Sequence, residues 1–171
     1  MKFHSAVKIA LPVLLTAISG SAFAQSSASV TTTGSATLVQ PITLIQGTGL
    51  AFGTLVRPST GTGTATIDST TGALTVANGV VALASSTSRA VYTVNGEGGS
   101  SFSIAVPATF NLTGPSTIPV TLTPTGSTGT LSNALGTAGT ASFGVGGNFS
   151  IASGTATGNY TGTYNVTVAY N

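Results

Sequence analysis

The sequence predicts an all-β antiparallel fold, a sandwich or a barrel, on three observations. Thr is the commonest residue, followed by Gly and Ala. Thr and Val suit pleated, half-buried surfaces, and Gly punctuates turns. Every apolar segment is short, and most alternate with polar residues. Turn signals recur every ~8–12 residues between about nine or ten such segments, as in sandwiches and barrels.

The segments follow in order. Ala28–Val39 (ASVTTTGSATLV) is a weakly apolar first strand that Pro41 breaks or re-aims, and Ile42–Leu44 continues it. LAFGTLV at 50–56 carries Leu50, Phe52, Leu55 and Val56 around Gly53. TATID at 64–68 and ALTVA at 73–77 flank a Ser-Thr-Thr-Gly turn and read as a hairpin. VVALAS at 80–85 and RAVYTVNG at 89–96 come next, then SFSIAVP after the Gly-Glu-Gly-Gly turn at 96–99. IPVTLTP at 118–124, ASFGVG at 141–146 and NFSIA at 148–152 are further strands, and 125–140 reads as a loop or frayed edge. The last segment, 158–170, alternates Tyr160, Gly162, Tyr164, Val166, Val168 and Tyr170 with Thr161, Thr163, Asn165, Thr167 and Ala169, the pattern of a long half-buried strand. Thr-x-Thr runs at 62–66 and 121–125 lack the fixed repeat of an ice-binding solenoid and read as solvent faces of ordinary strands.

The chain opens with Lys2, His4 and Lys8, an apolar run from Ile9 to Ile18, and the small-x-small Ala22-Phe23-Ala24. That order predicts a signal peptide over 1–24. The run is too short for the ~30 Å of a bilayer core. Cleavage leaves 25–171, enough chain for one domain with its own core, and places it in the periplasm, on the cell surface or outside the cell. It also removes both Lys residues, so the formal net charge of +2 becomes zero, carried by Arg57, Asp68, Arg89 and Glu97. Such a chain has no basic stripe for nucleic acid. It has no Cys to form disulfides. A small outer-membrane barrel fits poorly, because aromatics are too few for two girdles and most segments fall short of ~9–11 residues.

Chemistry is sparse. Beyond residue 24 there is no His, Cys or Lys, so tunable bases, nucleophiles and zinc ligands are missing. Asp68 and Glu97 are the only acids. Asp68 reads as a turn former, and Glu97, between glycines at a hairpin tip, as a solvated charge. The expectation is no enzyme, no cofactor and no metal. Four Asn-x-Ser/Thr sequons, at Asn111, Asn148, Asn159 and Asn165, are expected by chance in a chain so rich in Thr.

What remains is shape. Sheet edges with unpaired main-chain groups recruit further strands. The terminal strand needs a neighbour on each side. The first segment, with Val30, Thr32, Gly34, Ala36 and Leu38 on alternate positions, can pair within its own domain or add to another molecule. A head-to-tail contact of the second kind does not close and grows a filament. Pattern alone does not separate the two and slightly favours pairing within the domain.

The chain resembles the secreted bacterial family called domain of unknown function 4402. The resemblance rests on SATLVQPITLIQGTGLAFGTLV at 35–56, AVYTVNGEGGSSFSIAVP at 90–107 and NFSIASGTATGNYTGTYNVTVAYN at 148–171. The last of these is similar to the closing strand of chaperone–usher pilins, and the L-x-F-G box to archaic pilins and spore-coat-U-like domains. This implies an incomplete immunoglobulin-like sandwich completed by a donated strand. It also implies a structural subunit of a surface pilus or fimbria, a homopolymer handled by a periplasmic chaperone and an outer-membrane usher. The segment 25–39, through Val30, Thr32, Gly34, Ala36 and Leu38, would then be the donor. The domain 40–171 would accept it along Tyr160, Tyr164, Val166, Val168 and Tyr170. No nucleic-acid partner and no membrane insertion are implied. Many archaic pilins carry an early disulfide, and this chain departs from them in having no Cys. A self-contained secreted β-sandwich that binds a ligand or a matrix is the alternative.

Overall fold

The computed structural model describes residues 27–171; the expected signal peptide and the first two residues beyond it lie outside that range. Residues Thr37–Asn171 form one compact unit. Among the described residues there is no helix, and twelve strands pair antiparallel throughout. They are β1 (Thr43–Thr48), β2 (Leu55–Val56), β3 (Thr62–Ile67), β4 (Leu74–Ala77), β5 (Val81–Ala82), β6 (Ala90–Glu97), β7 (Ser101–Ala105), β8 (Thr109–Thr113), β9 (Thr117–Pro124), β10 (Thr128–Thr130), β11 (Ala138–Ala152) and β12 (Thr167–Tyr170). The fold is an all-β antiparallel sandwich, as the alternating segments predict.

The larger sheet runs β1-β6-β11-β3-β4, with β9 also on β11 and β8 beyond β9. The second sheet is β10-β7-β12, and β2 pairs with β5 alone. The alternating residues of these strands fill two cores. One gathers Tyr92, Val94, Phe102, Ile104, Leu122, Leu131, Phe143 and Val145. The other gathers Phe52, Ala65, Ile67, Val80, Ile118, Val120, Phe149 and Ile151. Tyr92 stacks on Phe143 across the β6–β11 ladder, and Phe52 meets Phe149 edge to face at 4.7 Å.

The 64–77 hairpin forms as expected. Ile67 pairs with Leu74, and the Asp68 carboxylate accepts from the Thr70 and Thr71 amides and the Thr71 hydroxyl. Those bonds hold its pKa below the usual carboxylate value, the Thr71 amide contributing most. Arg89 donates to the Ser69 carbonyl and steadies the turn from the side.

Several boundaries differ from the sequence reading. The expected strands at 141–146 and 148–152 are one 15-residue strand, β11. The Gly-rich run 144–148, a turn or bulge by the sequence reading, lies inside this strand. A Cβ on Gly146 would collide with the Ile67 carbonyl oxygen, and one on Gly144 with that of Ser69. Strand β8 was not expected, and 125–140 contains both β10 and the start of β11. The 50–56 and 80–85 segments keep the short β2–β5 pair, Ala51 makes an isolated bridge to Ser88, and between them Gly53 takes a positive φ of 71°. The terminal segment is in a ladder only over Thr167–Tyr170, not from residue 158.

Candidate functional site

Two open edges and a free segment make up the candidate site. Strand β1 pairs with β6 and nothing else, and β12 pairs with β7 and nothing else among the described residues. The two strands approach each other. The β12 ladder sets Val168 opposite Ile104 and Tyr170 opposite Phe102, and the Asn171 amide donates to Ser101 at 3.2 Å. The chain therefore stays paired to its last residue on one side only.

Upstream of β12 the terminal segment leaves the sheet. Thr161 makes an isolated bridge to Thr113 on β8, and Gly162–Val166 belongs to no ladder. The side-chain alternation nevertheless holds. Tyr160, Tyr164, Val166, Val168 and Tyr170 are half-buried while Thr161, Thr163, Asn165, Thr167 and Ala169 are exposed. Tyr164, Val166, Val168 and Tyr170 pack against the first core and Tyr160 against the second. Gly162 passes directly over the Asn111 carbonyl, where a Cβ would collide.

Between this segment and the chain after β1 runs a groove of about 340 Å³. Leu50, Phe52, Tyr92, Phe110, Leu112 and Tyr164 line it. Phe110 and Leu112 come from β8, the strand that the sequence reading passed over. Their alternation with Thr109, Asn111 and Thr113 was the available signal. The Tyr164 hydroxyl is buried at the groove without a hydrogen-bond partner. Its ionisation is pushed well above the usual tyrosine value, first by burial and then by the nearby Tyr92 hydroxyl, which does not meet it in bonding geometry.

The described part of the donor-like segment is in no strand. Residues 27–41 are all exposed, Val30 and Leu38 each at 88%. Thr32, Gly34 and Ala36 lie on this unpaired stretch.

The segment's root is held firmly. The Gln40 amide donates to Glu97 Oε2 at 3.1 Å, and the Tyr170 hydroxyl donates to the Gln40 carbonyl at 2.8 Å. The same hydroxyl accepts from the Glu97 amide at 2.7 Å, and Glu97 Oε1 accepts from the Gly136 amide. Glu97 is 2% exposed, so it is not the solvated turn charge that the sequence suggested. Its carboxylate is satisfied by main-chain donors brought from distant parts of the chain, as a buried acid requires. Gly96 makes room for this clasp, because a Cβ there would collide with the Tyr170 hydroxyl.

Asp68 and Glu97 share no partner, the first bonding within its own turn and the second to Gln40 and Gly136. Arg57 and Arg89 donate to the carbonyls of Thr155 and Ser69. No cluster of metal-ligating side chains occurs among the described residues. The described residues also include no helix long and apolar enough to cross a membrane.

A family model described as "Domain of unknown function (DUF4402)" matches residues 42–170. The chain belongs to this family. The DUF4402 match begins at Ile42, just past the clasped Gln40, and ends at Tyr170, which does the clasping. Residues 35–41 and the rest of the exposed segment lie before it. No curated protein and no solved structure gives a significant match.

Proposed function

We propose that this DUF4402 chain is a structural subunit of a bacterial surface filament of the pilus or fimbria kind, assembled by strand donation. The segment 25–39 of one molecule adds to the open edges of the next. Val30, Thr32, Gly34, Ala36 and Leu38 face the groove beside Tyr160, Tyr164, Val166, Val168 and Tyr170. The observation that carries this reading is the pairing of opposites. Among the described residues, the stretch that carries exposed Val30 and Leu38 lies in no strand, and the edges of β1 and β12 each lack a partner. Added strands bind through main-chain hydrogen bonds, with alternate side chains in pockets. The groove at Leu50, Phe110 and Tyr164 offers such a pocket.

In this reading the chain is exported through the periplasm to the cell surface. A chaperone covers the open edges until an usher passes the subunit outward, as the pilin resemblance implies. It has no catalytic role. The experiment is a denaturing gel of sheared surface protein, unheated against boiled. A ladder that collapses to monomer on boiling supports donation, and monomer in both lanes rejects it. A second reading, a self-standing secreted β-sandwich that binds a ligand or matrix, draws on the two cores, whose buried residues all lie between Phe52 and Ile151.

A further inference from the structure

We propose that Glu97, Tyr170 and Pro41 form a directing joint. It keeps the N-terminal segment off its own open edge and so sends it to a second molecule. The proposal rests on the strand-donation reading and adds what decides between donation outward and donation home.

The need for such a device follows from geometry. The open edge of β1 begins at Thr43, three residues past Gln40. A segment rooted there would reach its own edge most simply by a tight hairpin through Val39–Ile42. Linked to its target by so few residues, it would also meet that edge at a far higher effective concentration than any other molecule could. Left free, the segment would satisfy its own domain and polymerisation would stop.

Two features oppose the hairpin. Gln40 would be the second residue of the turn and Pro41 the third. The residue before a proline is held extended, and proline at the third position is disfavoured in ordinary tight turns. Moreover, both main-chain groups of Gln40 are already engaged. Its amide donates to the buried Glu97 carboxylate, and its carbonyl accepts from Tyr170. Reversing the chain at Gln40 would break both bonds and leave Glu97 buried with one donor fewer. The residues leaving the joint behave accordingly. Leu38 and Val39 are 88% and 52% exposed, although an unpaired edge starts close by.

The joint also ties the two edges of the acceptor together. Glu97 ends β6, the partner of β1, and Tyr170 ends β12. One carboxylate and one phenol thereby set where the donor segment leaves and where the acceptor edges begin.

The test compares full-length exported wild type with Tyr170→Phe, Pro41→Gly and the double variant. Unheated gels and limited chymotryptic digestion at Leu38 are read together. Wild type should ladder. Each single variant should shift about five- to tenfold toward a folded monomer whose Leu38 resists cleavage, the effect of one ordinary hydrogen bond or turn preference. The double variant should shift furthest. Pro41 is exposed and makes none of the clasp bonds, so Pro41→Gly removes no bonding group and decides the matter even if Tyr170→Phe folds poorly. Variants that ladder like wild type, with no protected monomer, would overturn the joint and leave strand donation standing. A wild type that never ladders would remove both.

Discussion

Phe110 and Tyr164 pack with ring centroids 4.9 Å apart and tilted by 45°, joining a strand of the large sheet to a stretch of the terminal segment that lies in no sheet. Their contact walls the groove, and it buries a hydroxyl that nothing satisfies. Removing that hydroxyl is therefore expected to help the isolated domain. Tyr164→Phe should raise stability by about 1 kcal/mol, since an unmet buried donor costs about that much or more. Urea unfolding of the wild type and variant reads this directly. A loss of stability would mean that the hydroxyl has a partner in solution.

Gly96→Ala tests the clasp from its opposite side. The new methyl must displace the Tyr170 hydroxyl and so disrupt its bonds to Glu97 and Gln40. The expected loss is about 1–3 kcal/mol, the range for stranding buried polar groups. Gly154→Ala is the control, because a Cβ there meets nothing within 4 Å. Equal melting temperatures for the two variants would show that the clasp contributes nothing to the fold.

Phe102 is 1% exposed on β7, opposite Gly129 on one side and Tyr170 on the other. Phe102→Ala should cost about 3–5 kcal/mol, combining lost transfer energy with a cavity that flanking strands cannot close. Chemical denaturation measures it. A cost below about 1 kcal/mol would mean that the second sheet collapses inward to refill the site.

The Asp68 turn should respond to acid. Its carboxyl has a folded pKa below the ordinary value, so the charged form is favoured by folding. The resulting stabilisation is complete above the unfolded value of about 3.9 and fades as pH falls through the lowered folded value. Carboxyl titration by NMR should place Asp68 below an unperturbed aspartate, and Thr71→Ala should move it back up. An unshifted titration in the wild type would contradict the three bonds drawn to it.

Local chemistry made parts of the fold readable. The β3–β4 hairpin rests on an aspartate that bonds amides two and three residues on, so its signal lies within one short window. The half-buried face of Tyr160–Tyr170 follows from alternation alone, and it held even where no ladder forms. Distance in sequence hid the rest. Glu97 looked solvated because its partners lie 57, 39 and 73 residues away, at Gln40, Gly136 and Tyr170. Gly144 and Gly146 resembled turn residues because nothing near them in sequence reveals the carbonyls of Ser69 and Ile67 that press against them. Strand β8 was hidden between Pro107 and Gly114-Pro115, too short a run to stand out. The same limits applied to the site. The alternating half-burial of Tyr160–Tyr170 was legible, whereas β8 and the clasp at Gln40 were not.

Strand β11 carries Phe143 and Val145 into one core and Phe149 and Ile151 into the other. A single unbroken strand therefore belongs to both hydrophobic clusters, one half laddered to β6 and the other to β3, with β9 paired across the junction at Val145–Asn148. The sandwich should come apart as one cooperative unit, with no half-folded species in which one end persists while the other opens. For a chain without cysteine, that all-or-none behaviour is itself a defence, because cleavage sites within the strands open to a protease only in molecules that have unravelled.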